Sequence, residues 1–159
     1  MQAQSEYYKM NANRIQNIVI RIVEKQSISV EDVTDLQNAV EEGGFITREE
    51  ADALFRAERM APVACASWSV FFIEALTAHV VWERRPTGRI TEADVAWLCQ
   101  TVALPRSGPA ANVGPLFLSL LREAVDADER LVAMTLAEND DTAGLASPGD
   151  PRREVRPAA

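Results

Sequence analysis

Acidic side chains recur at one fixed place in this chain, three residues after a threonine that itself follows an isoleucine. The stretch Gly44-Phe45-Ile46-Thr47-Arg48-Glu49-Glu50-Ala51-Asp52-Ala53-Leu54 is echoed by Gly88-Arg89-Ile90-Thr91-Glu92-Ala93-Asp94-Val95-Ala96-Trp97-Leu98. Glycine, isoleucine, threonine, acid and leucine coincide in register. Two kinds of chemistry use such a pattern. A Thr-x-x-Glu/Asp box caps a helix, because the threonine oxygen takes the amide of the acid and the acid reaches back to the threonine amide. A divalent cation also uses carboxylates gathered around a glycine turn.

The second possibility is tested position by position against the twelve-residue EF-hand loop, which sets oxygen ligands at 1, 3, 5, 9 and 12, glycine at 6 and an aliphatic residue at 8. With Ile46 at 8, Gly44 falls at 6 and Glu50 at 12, but Ala39 and Gly43 occupy 1 and 5, leaving Glu41 at 3. With Ile90 at 8, Gly88 falls at 6, Glu83 at 1 and Asp94 at 12, and Arg85 stands at 3. A cation at a ligand position opposes a divalent ion directly. Glu41, Glu50 and Asp94 are the remaining candidate ligands, too few for the six to eight oxygens calcium takes. The capping reading explains every residue of the motif, so no metal and no cofactor are expected. The turn geometry is expected to persist without the ion, with Ile46 and Ile90 paired in a short bridge.

Other reactive side chains are isolated. His79 is the only histidine, which excludes a histidine metal cluster or a triad with two histidines, and it reads as a packed imidazole. Glu74 lies five residues away, off its face. Ser67, Ser69 and Ser107 stand in no Gly-x-Ser-x-Gly elbow. Gly43-Gly44 precedes no Lys-Ser/Thr, so no phosphate loop forms. Cys65 and Cys99 show no CxxC pattern and read as small buried hydrophobes. No catalytic constellation results, and the chain reads as a non-enzyme.

Stepping out to the elements, Ile15, Ile18, Val19, Ile22 and Val23 form one stripe of a first helix over 8–23. Ser29, three residues before Asp32, starts a second helix that Gly43-Gly44 ends. Thr47 starts a third. A fourth, over 67–83, is apolar on nearly all sides and belongs at the centre of a bundle. Thr91 caps a fifth; a sixth and a short seventh follow to 137. No stretch alternates with period two over a useful length. The fold class is all-α, a six- to seven-helix bundle with two EF-hand-like helix-turn-helix units. The N-terminal amphipathic helix takes residues 1–28 and the helical domain 29–138. Residues 139–159 read as a disordered tail, too poor in large apolar residues to offset ordering entropy.

The 159 residues suffice for one domain with a real core. Sixteen basic residues face 24 acidic ones, for a net charge of -8. Such a chain repels a phosphate backbone over roughly 10 Å, and no basic stripe longer than Arg84-Arg85 or Arg152-Arg153 counters it, so nucleic-acid binding is not expected. No apolar stretch approaches the ~20 residues of a spanning helix. The polar start, residues 1–13, carries no secretory signal, and the expected location is the cytoplasm.

The glycine-x-Ile-Thr-x-x-Glu turn after an amphipathic helix resembles the TerB-like (tellurite-resistance) helical domains. The run from Glu42 to Phe55, with Phe71 to Val80 and Gly88 to Thr91, looks closest to alphaproteobacterial proteins of that type. Where the family places Asp-Gly before the isoleucine, this chain has Gly43-Gly44 and Thr87-Gly88. The resemblance covers about 30–137 and implies an all-helical bundle with a metal site made by acids near the turns. The expected function is a non-enzymatic protein–protein interaction module, an accessory or regulatory subunit of a larger bacterial assembly. The other class is a metal-responsive or small-ligand-binding domain. The expected partner is a protein or a second copy, taken by the first helix through Tyr7, Tyr8, Ile15, Ile18 and Ile22. Trp68, Trp82 and Trp97 fit either core packing or an interface.

Overall fold

The structure is a computed structural model that describes residues 2–145, with side chains described at 3, 6 and 14–140. Among these residues seven helices form an all-α bundle. In chain order they are α1 (Gln2–Lys25), α2 (Val30–Gly43), α3 (Arg48–Met60), α4 (Ala66–Thr77), α5 (Glu92–Val102), α6 (Val113–Glu123) and α7 (Glu129–Leu145). Residues Ala78–Glu83 continue α4 as a π-helix. Four two-residue strands, β1 (Ser27–Ile28), β2 (Val63–Ala64), β3 (Arg89–Ile90) and β4 (Asp126–Ala127), make two separate parallel bridges.

Three helices begin with complete capping boxes, each on the predicted residues. The Ser29 amide donates to Asp32 at 2.9 Å, the Thr47 amide to Glu50 at 2.6 Å and the Thr91 amide to Asp94 at 3.0 Å. The amides of Asp32, Glu50 and Asp94 return the bond to the Ser or Thr oxygen. In each case an isoleucine, Ile28, Ile46 or Ile90, is buried directly before the cap. The residue two positions before that isoleucine has positive φ: 55° at Gln26, 80° at Gly44 and 76° at Gly88. These are the positive-φ positions among the described residues, so one turn conformation is used three times.

The bridge pairing differs from expectation. Ile46 and Ile90 do not pair. Ile28 pairs with Ala64 and Ile90 with Ala127. The Cys65 amide donates to the Ile28 carbonyl at 2.9 Å, and the Asp128 amide to the Ile90 carbonyl at 3.1 Å. The order bridge, helix, helix, bridge, helix therefore runs from β1 to α4 and again from β3 to α7. By topology Gly88–Leu98 corresponds to Gln26–Leu36, with Ile28-Ser29, Asp32-Val33 and Leu36 matching Ile90-Thr91, Asp94-Val95 and Leu98. Gly44–Leu54 shares the turn but sits inside the first unit.

α1 lies against α2 and α3. Ile15, Ile18, Val19 and Ile22 are at most 3% exposed, which excludes Ile15, Ile18 and Ile22 as a free docking stripe. Arg14 pairs with Glu42 at 2.5 Å and Arg21 with Asp35 at 3.4 Å along the flanks of that contact. The helix also begins earlier than its apolar stripe, at Gln2. At the other end, the expected tail boundary at 138 falls inside α7, which runs to Leu145. Thr135 bonds back to the Leu131 carbonyl and Asn139 to that of Thr135, both at 2.7 Å. The expected tail from 146 onward lies outside the described residues.

The central place of α4 matches its composition. Trp68, Phe72 and Leu76 are fully buried, with Phe55 and Phe117 from α3 and α6 in the same core. Phe55 meets Phe72 edge-on at 5.4 Å, a favourable aromatic geometry. Because Ile22 is 0% exposed, Ile22→Ala is expected to lower the unfolding free energy by about 2–5 kcal/mol. Urea unfolding of the full chain measures this; a change well under that range would return α1 to the status of a detachable element.

Candidate functional site

The middle turn lacks a strand partner, and two side chains stand in for one. Glu83 Oε2 accepts the Ile46 amide at 3.1 Å, and His79 Nδ1 meets the Ile46 carbonyl at 3.0 Å. A carbonyl only accepts, so the proton sits on Nδ1. His79 Nε2 is buried with no hydrogen-bond partner. His79 and Glu83 are four apart on the π-helix, and their facing atoms lie 3.5 Å from each other. The i, i+4 spacing was the available signal for this pair. Glu74, considered beside His79 in the sequence, is exposed and plays no part in the clamp.

A second set of contacts ties the start of α5 to α3 and to the end of the π-helix. Asp94 is 3% exposed. Its Oδ2 takes the Thr91 amide and hydroxyl; its Oδ1 takes Arg84 and faces Arg48 at 3.5 Å. The Arg48 guanidinium stacks 3.7 Å over the Trp97 ring, and Trp97 Nε1 donates to Asp52 at 2.7 Å. Both Asp94 oxygens are thus occupied by protein donors. Glu50 is 4% exposed and spends a carboxylate oxygen on its cap. Glu41 is exposed on α2, beside a shallow groove shared with Phe71 and Glu74. The three candidate ligands Glu41, Glu50 and Asp94 are not brought together, and no group of three or more His, Cys, Asp or Glu that could hold a metal occurs among the described residues. The acids near the second bridge are paired as well: Asp126 with Arg89 at 2.8 Å, and Asp128 and Glu92 with Arg130 at 3.1 and 3.2 Å.

The tryptophans divide between the two readings. Trp68 is fully buried and donates to Glu58 at 2.6 Å. Trp97 is half-buried under Arg48. Trp82, expected inside a helix apolar all round, is 48% exposed. Beside it lie Gly88 and Val125, which is 84% exposed. A Cβ at Gly88 would come within 3.2 Å of Val125 Cγ2 and 3.9 Å of Trp82 Cζ3, so the two exposed side chains flank the buried glycine. The residue numbers gave no cue, because the patch assembles from the π-helix, the turn before β3 and the loop before β4. The side chains of Tyr7 and Tyr8 lie outside the described residues. Cys65 and Cys99 are free thiols; Cys99 is exposed rather than buried, with its sulfur 3.1 Å from that of Met134.

No helix is long and apolar enough to cross a membrane among the described residues. No protein-family model, curated protein or solved structure matches the chain.

Two consequences follow for the turns. Glu83→Ala is expected to speed hydrogen exchange at the Ile46 amide by about tenfold or more, the cost of leaving a buried donor unsatisfied. The Ile28 and Ile90 amides, held by strands, should keep their rates; equal acceleration at all three would mean general destabilisation instead of a local clamp. Burial works to raise the Asp32 carboxyl, but hydrogen bonds from Lys25 and from the Ser29 amide and hydroxyl outweigh it and hold Asp32 below its ordinary 3.8. A lowered folded value stabilises the protein above the unfolded one, so this contribution is complete above pH 3.8 and is lost as pH falls further. Asp32→Asn should flatten the acid limb of stability below pH 3.8, measured by denaturant unfolding across that range.

Proposed function

We propose that this chain is a non-enzymatic helical interaction module of the TerB-like kind, an accessory or regulatory subunit of a larger bacterial assembly that works in the cytoplasm. What supports the reading is the pair of exposed apolar side chains, Trp82 and Val125, on either side of Gly88. Tryptophan is concentrated at the energetic centres of protein interfaces, and arginine accompanies it there. Here a half-exposed tryptophan and a valine 84% exposed flank Gly88, and Arg85 stands exposed on the segment that joins Trp82 to Gly88. The α1 stripe, the other apolar surface considered, is consumed by the core.

The TerB-like turns support the same class of protein through their caps. Their acids serve helix starts and ion pairs, which makes the turns scaffolding and leaves the outer faces for recognition. Val125→Asp tests the reading. At so exposed a position the change should alter stability by no more than about 0.5 kcal/mol, while retention of a native partner on the immobilised full chain should fall by at least about tenfold, the usual consequence of spoiling an interface centre. A wild-type chain that retains no partner and stays monomeric, or a Val125→Asp chain that retains the partner equally, would overturn it.

A further inference from the structure

Among the described cations, Arg14, Arg21, Lys25, Arg48, Arg84, Arg89 and Arg130 each reach a carboxylate. Arg56, Arg59, Arg85, Arg106 and Arg122 reach none, and of these Arg56, Arg59 and Arg106 converge. Arg59 and Arg106 line a narrow cleft between the ends of α3 and α5 and the loop 103–112. Arg56 and Arg59 line the adjoining groove between α1 and α3, about 400 Å³ in volume. Arg59 Nε is buried without a hydrogen-bond partner. Burial, repulsion from Arg56 and repulsion from Arg106 push the Arg59 guanidinium below its ordinary value, and only Asp52 opposes them. A half-buried guanidinium repelled by two others in a chain of net charge -8 is a local arrangement that costs free energy unless something compensates it.

Helix ends account for part of this. Arg106 donates to the Val102 carbonyl at 2.9 Å, a C-terminal cap of α5, and Arg59 lies in the last turn of α3, where a cation is favoured. That explains why each arginine is near a helix C-terminus. It does not explain why three guanidinium groups that reach no carboxylate lie together. The nearby carboxylates do not supply the missing partner. Glu58, in the cleft wall, takes the Trp68 indole and the Asn112 amide and side chain; Asp52 takes the Trp97 indole.

We propose that Arg59 and Arg106, with Arg56 beside them, bind a phosphate-sized oxyanion at the mouth of this cleft. Arginine's planar fork suits tetrahedral and planar oxyanions through paired N–H donors. The enclosed part of the cleft has room for about one water, 10 Å³, so the anion sits over the guanidinium groups and not deep within. The apolar walls from Phe55, Val102, Pro109 and Val113 lower the local dielectric and strengthen each charged bond. This site is separate from the Trp82–Val125 surface and stands or falls independently of it.

Inorganic phosphate is the probe. Calorimetric titration of the full chain, at ionic strength held constant with chloride, should show saturable binding of one phosphate per chain. Arg59→Gln and Arg106→Gln should each weaken it by about ten- to a hundredfold, the worth of a charge-assisted hydrogen bond. Arg122→Gln, at the far end of α6, should leave it unchanged. Arg106 is exposed, so its variant keeps the test valid even if Arg59→Gln fails to fold. Absence of saturable binding, or equal weakening by all three variants, would overturn the proposal.

Discussion

An isoleucine buried directly ahead of a helix start carries its own amide and carbonyl into the interior, and those groups must find partners there. The chain meets this constraint three times, at Ile28, Ile46 and Ile90. Twice it brings up a strand, so that β2 and β4 lie where they do because Ile28 and Ile90 require them. The third time no strand is within reach, and His79 and Glu83 supply one donor and one acceptor in its place. The π-helix Ala78–Glu83 carries both groups at i, i+4 to the same peptide. A widened turn at the end of the central helix thus has a stated job, to dock the start of α3 onto the core.

The same economy of partners sets the electrostatics. A carboxylate at the third position of a capped helix is already committed to the cap residue's amide, and burial then obliges its free lone pairs to find cations. Asp94 takes Arg84 and Arg48, and Asp32 takes Lys25. Glu50 and Asp94, which look available for a metal in the sequence, are therefore engaged in holding helix starts together. Among the described residues, the arginines at the α3–α5 cleft and the exposed Trp82 and Val125 side chains stand outside these pairings.

Much of the fold was legible in the residues, because helix caps and apolar stripes are local. The Thr47 and Thr91 boxes, the Ser29 start and a count of six to seven helices follow from i, i+3 and i, i+4 patterns. The equivalence of units was not legible, because the first turn uses Gln26 where the others use glycine. A glutamine at φ 55° leaves no compositional mark, so the eye pairs Gly44 with Gly88 although topology pairs Gln26 with Gly88. The α1 stripe showed that its face is buried but not on what; only the docking of α1 on α2 and α3 decides that. The α7 boundary was missed because Asn139 and Asp140 are weak helix formers, and tertiary context outweighs propensity: Asn139 caps back onto Thr135 and sits against Gly114. The surface patch and the arginine cluster join residues far apart in the chain, which no periodicity reports.

The two units also explain why α4 and α7 differ so much despite equivalent positions after β2 and β4. α4 closes the first unit and, through its π-helical end, opens the second, so it packs on α2 from one and α6 from the other. A helix with a unit on each side must be apolar on most of its circumference, which is the composition Trp68-x-Val-Phe-Phe-Ile-x-x-Leu76 supplies. Its Thr77 hydroxyl meets Ser119 on α6 at 2.9 Å, inside that second contact. Among the described residues α7 packs chiefly on α6. Leu131 and Thr135 are buried, whereas Val132 and Leu136 are 45% and 63% exposed. The face of α7 that in α4 meets a second unit is, among the described residues, this exposed edge of Val132 and Leu136.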